Sequence, residues 1–278
     1  VLVVAKTCDH KVFGLDAAIG ADDHRRRKSE SLMATTLLSP PATKATLEAL
    51  LREKRLQAEA PPLRGEDQRR RRVPTGMAEV DALVGGGFPR GELSEIHGPV
   101  SSGRTGLLLG LLARTTRKGA LAALVDPLDR FDPASAAKAG LALARLLWLR
   151  GPRGGGEDPR PKTLAEATAA VATLAGSGLF EVVVLDLAGV SDRERRGLPA
   201  TTWIRLQRTV EDTETALLLV ADGHVAVGPG GATLALTPRG PEWSTPPGPG
   251  RLLAGLGARV STGRYVARSA EVALAAFA

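Results

Sequence analysis

The sequence predicts an α/β protein: a doubly wound, mostly parallel sheet flanked by helices, with an N-terminal helix outside the core. Three observations predict it. Short apolar runs alternate with helix-length amphipathic stretches along the chain. Two of these runs, Val182-Val-Val-Leu185 and Ala216-Leu-Leu-Leu-Val220, are continuous, as strands buried on both faces require. Between a strand and a helix lies Gly98-Pro-Val-Ser-Ser-Gly-Arg-Thr105. It has the spacing of a phosphate-binding loop, G-x-x-x-x-G-K-[ST], with Arg104 at the lysine.

The elements follow in order. Residues 1–42 are charged, carry the breaker Ser39-Pro-Pro-Ala42, and are expected to be mostly disordered. Met33 opens a more ordinary stretch, so residues 1–32 are equally readable as an over-extended start. Residues 43–59 predict an amphipathic helix with Leu47, Leu50 and Leu51 on one stripe, stopped by Pro61-Pro62. With the linker ending in Arg69 to Arg72 it makes a unit over 43–72. The arginine run is either a solvated charge run or a contact to phosphate or an acidic surface.

The core domain spans 73–278. Strands are expected at 92–97, 120–125, 145–149, 181–186 and 214–221, and helices at 104–117, 133–140, 163–175 and 200–211. Weaker signals at 232–237, 256–261 and 270–277 extend the sheet with antiparallel edge strands. Gly151 to Lys162 and Pro238 to Gly250 read as loops rich in glycine and proline.

Composition narrows the class. The 278 residues are 43% hydrophobic, enough for one large domain with extensions. A net charge of +7 suits nucleic-acid or acidic-protein partners, and equally suits a basic proteome. The lone cysteine, Cys8, excludes an intrachain disulfide and a thiolate metal cluster. The four histidines show no ligand spacing. No membrane span or signal-peptide core is read, so a cytoplasmic protein is expected.

The loop chemistry is specific. Gly98 and Gly103 let backbone N–H groups converge on phosphate oxygens, and the helix N-terminus beyond them attracts anions. Ser101, Ser102, Gly103 and Arg104 complete the cradle, and Thr105 offers the hydroxyl for a Mg²⁺ ion. A forked, planar guanidinium aims its charge differently from a lysine ammonium.

The stretch from Val73 to Thr105 resembles the RecA family, as does its "L-V-G-G-G-F-P-R-G" passage followed by "E-I-H-G-P-V-S-S-G". Asp126, the Asp132-Pro133 pair and the strand ending at Asp186 resemble later motifs of that family. The resemblance implies a RecA-like core over roughly 73–221. It places Asp132 at the nucleotide, Thr105 and Asp186 at Mg²⁺, and ATP as the cofactor, bound weakly or no longer. It also exposes departures. The water-activating glutamate falls on Leu128, the adenine-stacking tyrosine on Ser135, and the γ-phosphate sensor on the Ala221-Asp-Gly-His224 segment. Asp129 is the one neighbouring carboxylate that could act as a catalytic base.

Two loops stand where RecA proteins contact DNA. Leu187 to Leu198 is short and charged, with Arg193, Arg195 and Arg196 available to DNA phosphate or to protein. Val225 to Pro249 offers Trp243, as a stacking ring or a packing anchor, and Arg239. A short, catalytically eroded RecA-like chain resembles the ImuA family. That resemblance implies a non-polymerase accessory protein of bacterial DNA damage response, SOS mutagenesis and translesion synthesis, with RecA and an ImuB-like protein as partners. The helix at 43–59 lies where RecA-type proteins oligomerise. A DNA-dependent ATPase of recombinase type, and a DNA-binding regulator or cell-division inhibitor, are the competing readings.

Overall fold

A computed structural model describes residues 2–4, 72–151, 160–226, 230–244, 248, 250–262 and 268–275. The expected helix at 43–59, its linker as far as residue 71, and most of the first 42 residues lie outside these. Within the expected disordered segment, Leu2–Val4 nevertheless forms a strand, β1.

The described elements are, in chain order, β2 (Arg72–Val73), α1 (Ala78–Leu83), β3 (Phe88–Pro89), β4 (Leu93–His97), α2 (Arg104–Arg117), β5 (Ala122–Asp126) and α3 (Pro133–Lys138). A 3₁₀ turn (Leu143–Arg145) leads into β6 (Leu146–Arg150). Then come α4 (Arg160–Gly176), β7 (Val182–Asp186), α5 (Asp192–Arg196), α6 (Thr201–Val210), β8 (Ala216–Ala221), β9 (Thr233–Trp243), β10 (Leu253–Thr262) and β11 (Arg268–Ala275).

Nine strands form one sheet in the order β1-β6-β5-β7-β8-β4-β9-β10-β11. β6, β5, β7, β8, β4 and β9 pair in parallel. β1 is antiparallel to β6, and the β9–β10–β11 meander is antiparallel. Short β2 and β3 pair separately.

The continuous apolar runs split between two layers because successive side chains alternate across a strand. Val182 and Val184 of β7 join Ile96, Leu218 and Val220 in a layer covered by Leu107, Leu111 and Leu112 of α2. Val183 and Leu185 join Leu217 and Leu219 in the opposite layer, beneath Leu174 of α4 and Trp203 and Leu206 of α6. Each such buried aliphatic side chain stabilises by about 1.5–3 kcal/mol. The central strands are therefore packed on both faces, and their C-terminal ends hold the candidate site.

The glycine-rich passage before β4 has a packing reason. Gly87 adopts φ 128°, and a Cβ there would collide with the backbone of Val73 and Pro74. Asp81 of α1 accepts from the Thr75 backbone N–H at 2.7 Å and its hydroxyl at 2.8 Å, fixing the turn into α1. Arg72, the last of the four-arginine run, is not a free surface charge. Its Nη1 donates to the carbonyls of Val84 at 2.7 Å and Gly87 at 3.1 Å.

Three expectations need correction. Residues 238–243 are not loop; β9 continues through Pro238 and Pro241 to Trp243. β4 pairs with β9 only at residues 233–235, so beyond them β9 has one partner, β10, and a proline's missing N–H is tolerated. β9 is also parallel to β4 rather than an antiparallel edge strand. The charged segment 187–198 is not simply loop either. It contains α5, started by a reciprocal capping box between Ser191 and Glu194.

Candidate anion site at the strand ends

Four loops meet beyond the C-terminal ends of β4, β5, β7 and β8, the position where open α/β sheets place ligands. The loop from Gly98 to Gly103 joins β4 to α2. Gly103 caps α2 at φ 90°. A Cβ there would meet the Cδ1 tip of Leu274 of β11, which would have to move aside, so the left-handed backbone is the main demand for glycine. Ser101 is also left-handed, at φ 61°. The first N–H groups of α2 have no intrahelical acceptor and carry the positive end of the helix dipole. Ser102 is 1% exposed, and its hydroxyl has no hydrogen-bond partner among the described residues. These features fit a phosphate group. Thr105 is exposed on the first turn of α2, open to a cation carried by that phosphate.

Arg104 does not extend over the loop as a free cation. It is 8% exposed, and its Nη2 lies 2.5 Å from Asp222 Oδ1. Asp222 follows β8, which pairs directly with β4. Its other oxygen accepts from the Gly189 backbone N–H at 2.7 Å, in the loop after β7. Burial works against the Asp222 charge, but the Gly189 N–H and Arg104 outweigh it. They hold the carboxyl below the ordinary aspartate range.

Asp186 ends β7, in the Mg²⁺ position implied by the resemblance. Burial pushes its carboxyl up to about 6, against the Ala188 N–H it accepts at 2.9 Å. A divalent cation would reverse that shift, since it favours the ionised form. Asp126, 2% exposed, accepts from the Phe131 N–H at 2.8 Å and from Trp148 Nε1 at 3.3 Å. It holds the β5 loop in shape.

The positions that the resemblance assigns to the base and the stacking ring are filled differently. Leu128 packs against the apolar layer under α4 and α6, so the base position contributes to packing. Asp129, the alternative base, sits at φ 54° with both oxygens engaged by Arg150. Asp132 caps α3, accepting from the N–H groups of Ala134 at 3.0 Å and Ser135 at 3.2 Å. Ser135 also donates its hydroxyl to Asp132 at 2.5 Å. That bond, then those from the backbone, hold the Asp132 carboxyl low. The place of a stacking ring is thus taken by a helix-cap hydroxyl.

The arginines of α5 part company. Arg193 and Arg196 are exposed. Arg195 turns inward, with a side chain 12% exposed, pairs with Asp192, and adds its field to Asp222. Trp243, at the end of β9, is 45% exposed and has Arg251 4.9 Å over its ring.

The sequence missed a second buried carboxylate. Glu95 of β4, 1% exposed, accepts from the Val225 N–H at 2.6 Å and the Ala226 N–H at 3.3 Å, and lies 2.6 Å from His224 Nδ1. It moors the segment after β8 to the strand that feeds the phosphate loop. His97 and His224, unrelated in sequence, stand with ring centroids 5.6 Å apart. Burial lowers the His97 pKa; Glu95 opposes this, and His224 and Arg104 add to it. A carboxylate in the middle of an expected strand was the available signal.

Residues 62–192 match the RecA N-terminal domain. The chain is 39% identical over 115 residues to Protein RecA of Chlorobaculum parvum, covering 41% of this chain and 30% of that protein. It is 36% identical over 152 residues to Protein RecA of Herpetosiphon aurantiacus, covering 54% and 40%. Protein RecA of Thermus thermophilus gives 37% over 115 residues, covering 41% and 31%. The chain spans less than half the length of these curated relatives. Among the described residues, no helix is long and apolar enough to cross a membrane.

Proposed function

We propose, on the premise that the core of this chain is RecA-like, that it is a non-polymerase accessory protein of the bacterial DNA damage response. It acts as a scaffold of the ImuA kind in translesion synthesis, binding RecA and an ImuB-like protein, with an attenuated nucleotide site. One observation carries this reading. The framework of the phosphate loop is intact, while Arg104, which stands for the catalytic lysine, is committed to Asp222.

The rest of the chemistry agrees. Phosphoryl transfer depends on positioning and charge stabilisation. Leu128 cannot accept a proton, Asp129 is held by Arg150, and Ser135 offers no ring to adenine. The residues present suit a phosphate chain at the start of α2, with Thr105 and Asp186 available to Mg²⁺. Bound Mg²⁺-ATP would supply a phosphoanhydride for transfer. The protein's own share is then to hold phosphate at Ser102 and the α2 N-terminus, and to leave the attacking water unactivated.

The test is binding of the full chain to purified RecA filaments and to an ImuB-like protein. Repeating it with the Thr105→Ala/Asp186→Ala double variant separates binding from nucleotide use. A scaffold retains both partners in the double variant. Failure of the wild-type chain to bind either partner overturns the proposal. The retained Thr105 and Asp186 favour one second reading, a DNA-dependent ATPase. It requires turnover that this same double variant abolishes.

A further inference from the structure

We infer that Asp222 is a built-in counter-anion for the phosphate loop, a carboxylate latch that an incoming polyphosphate chain must displace. The inference rests on reading residues 98–105 as an anion site, and it deepens that reading by naming what competes for it.

Geometry gives the latch its parts. Arg104 is anchored by its position at the first turn of α2, and its guanidinium reaches across the β4–β8 pair to Asp222 at 2.5 Å. Asp222 is held from the other side by the Gly189 N–H at 2.7 Å. Arg195 of α5 contributes a second positive field at the same carboxylate. One carboxylate therefore serves three loops, those after β4, β7 and β8.

The Arg104–Asp222 contact leaves the site's polar atoms incompletely satisfied. Arg104 Nη1, Arg195 Nη1, Ser102 Oγ and Asp222 Oδ1 itself are buried and have no hydrogen-bond partner among the described residues, so donor capacity of both arginines and the serine stays unused. Leaving a buried donor unmade is unfavourable, more so for a charged group. Such a surplus is what a ligand with several anionic oxygens would consume. A diphosphate or triphosphate chain presents more acceptors than the two of a carboxylate, and Arg104 can engage phosphate through both arms of its fork. Entry of the chain requires the Asp222 side chain to leave Arg104. The backbone after β8 stays in place, because Glu95 holds Val225 and Ala226 independently. The latch is therefore a side-chain device, and its strength sets the affinity of the loop for polyphosphate.

The test is isothermal titration of the full chain with inorganic pyrophosphate, comparing wild type with Asp222→Asn. The asparagine keeps the shape and can still accept from Gly189, but it carries no charge to compete. Pyrophosphate is expected to bind the variant at least tenfold more tightly than wild type, and adding Arg104→Ala is expected to erase the gain. Asp222→Ser serves as a second uncharged variant should the asparagine misfold. Equal or weaker binding in the folded variants, or none, overturns the inference. Partner binding by the wild-type chain is measured without any anion, so failure of the latch and failure of the scaffold proposal are separate results.

Discussion

Asp129 and Arg150 form a two-armed ion pair across the ends of β5 and β6. Nε lies 2.5 Å from Oδ1 and Nη2 lies 2.7 Å from Oδ2, and the guanidinium stands 4.2 Å over the Trp148 ring. Both side chains are largely enclosed. The pair converts the one candidate base into a structural element. Removing Arg150 takes the guanidinium from a half-buried carboxylate and the cation from the ring. Arg150→Ala is expected to lower stability by about 2–3 kcal/mol, after allowance for partial exposure. Adding Asp129→Asn should recover part of it. Urea unfolding of the two variants measures both effects.

Glu95 gives a second prediction. Its carboxylate accepts two backbone N–H groups and meets His224, all from the segment after β8. Glu95→Gln keeps the volume but turns one acceptor oxygen into a donor facing donors. The expected loss is about 2 kcal/mol, the scale of a charge-assisted hydrogen bond. Amide exchange at Val225 and Ala226 should accelerate, which a general loss of packing elsewhere would not single out.

Asp186 gives a pH dependence. Its folded carboxyl titrates near 6 against an ordinary 3.8, because burial disfavours the charge. The folded state therefore binds the proton more tightly than the unfolded state does. This contribution makes stability fall as pH rises from about 4 to 6, and it is constant above that. At 1.36 kcal/mol per unit, the effect is on the order of 2–3 kcal/mol. Asp186→Asn should flatten this part of the profile and raise stability at pH 8. Unfolding free energies between pH 4 and 8 decide it; parallel profiles for the two proteins would contradict it.

Gly103 offers a packing test. Its left-handed conformation strains any Cβ, and the Leu274 Cδ1 tip would have to move aside for one. Gly103→Ala should destabilise by about 2–4 kcal/mol, combining backbone strain with overpacking. Leu274→Ala in the same chain should relieve the overpacking share only, giving a positive coupling in a double-mutant cycle.

The pattern of what could be read follows physical range. β7, β8 and α2 are legible because their signals are local: continuous apolar runs and a glycine-framed loop. α2 spans 104–117, the residues expected from sequence alone. β9 was lost beyond residue 237 because its prolines read as breakers. Only the sheet order shows that this part of the strand has a single neighbour. α5 was lost because a helix of five residues has no period to detect. The phosphate loop was legible as a motif, but its latch was not. Arg104 and Asp222 are far apart in sequence and meet only because β4 and β8 are adjacent strands. His97 and His224 are joined by that same adjacency.

The most direct measurement is steady-state ATP hydrolysis by the purified full chain, with and without single-stranded DNA. The proposed scaffold reading, with Arg104 held by Asp222 and an apolar Leu128, predicts no DNA-stimulated turnover. DNA-stimulated hydrolysis at a recombinase-like rate, lost in both Thr105→Ala and Asp186→Ala, would contradict it and make the chain an ATPase.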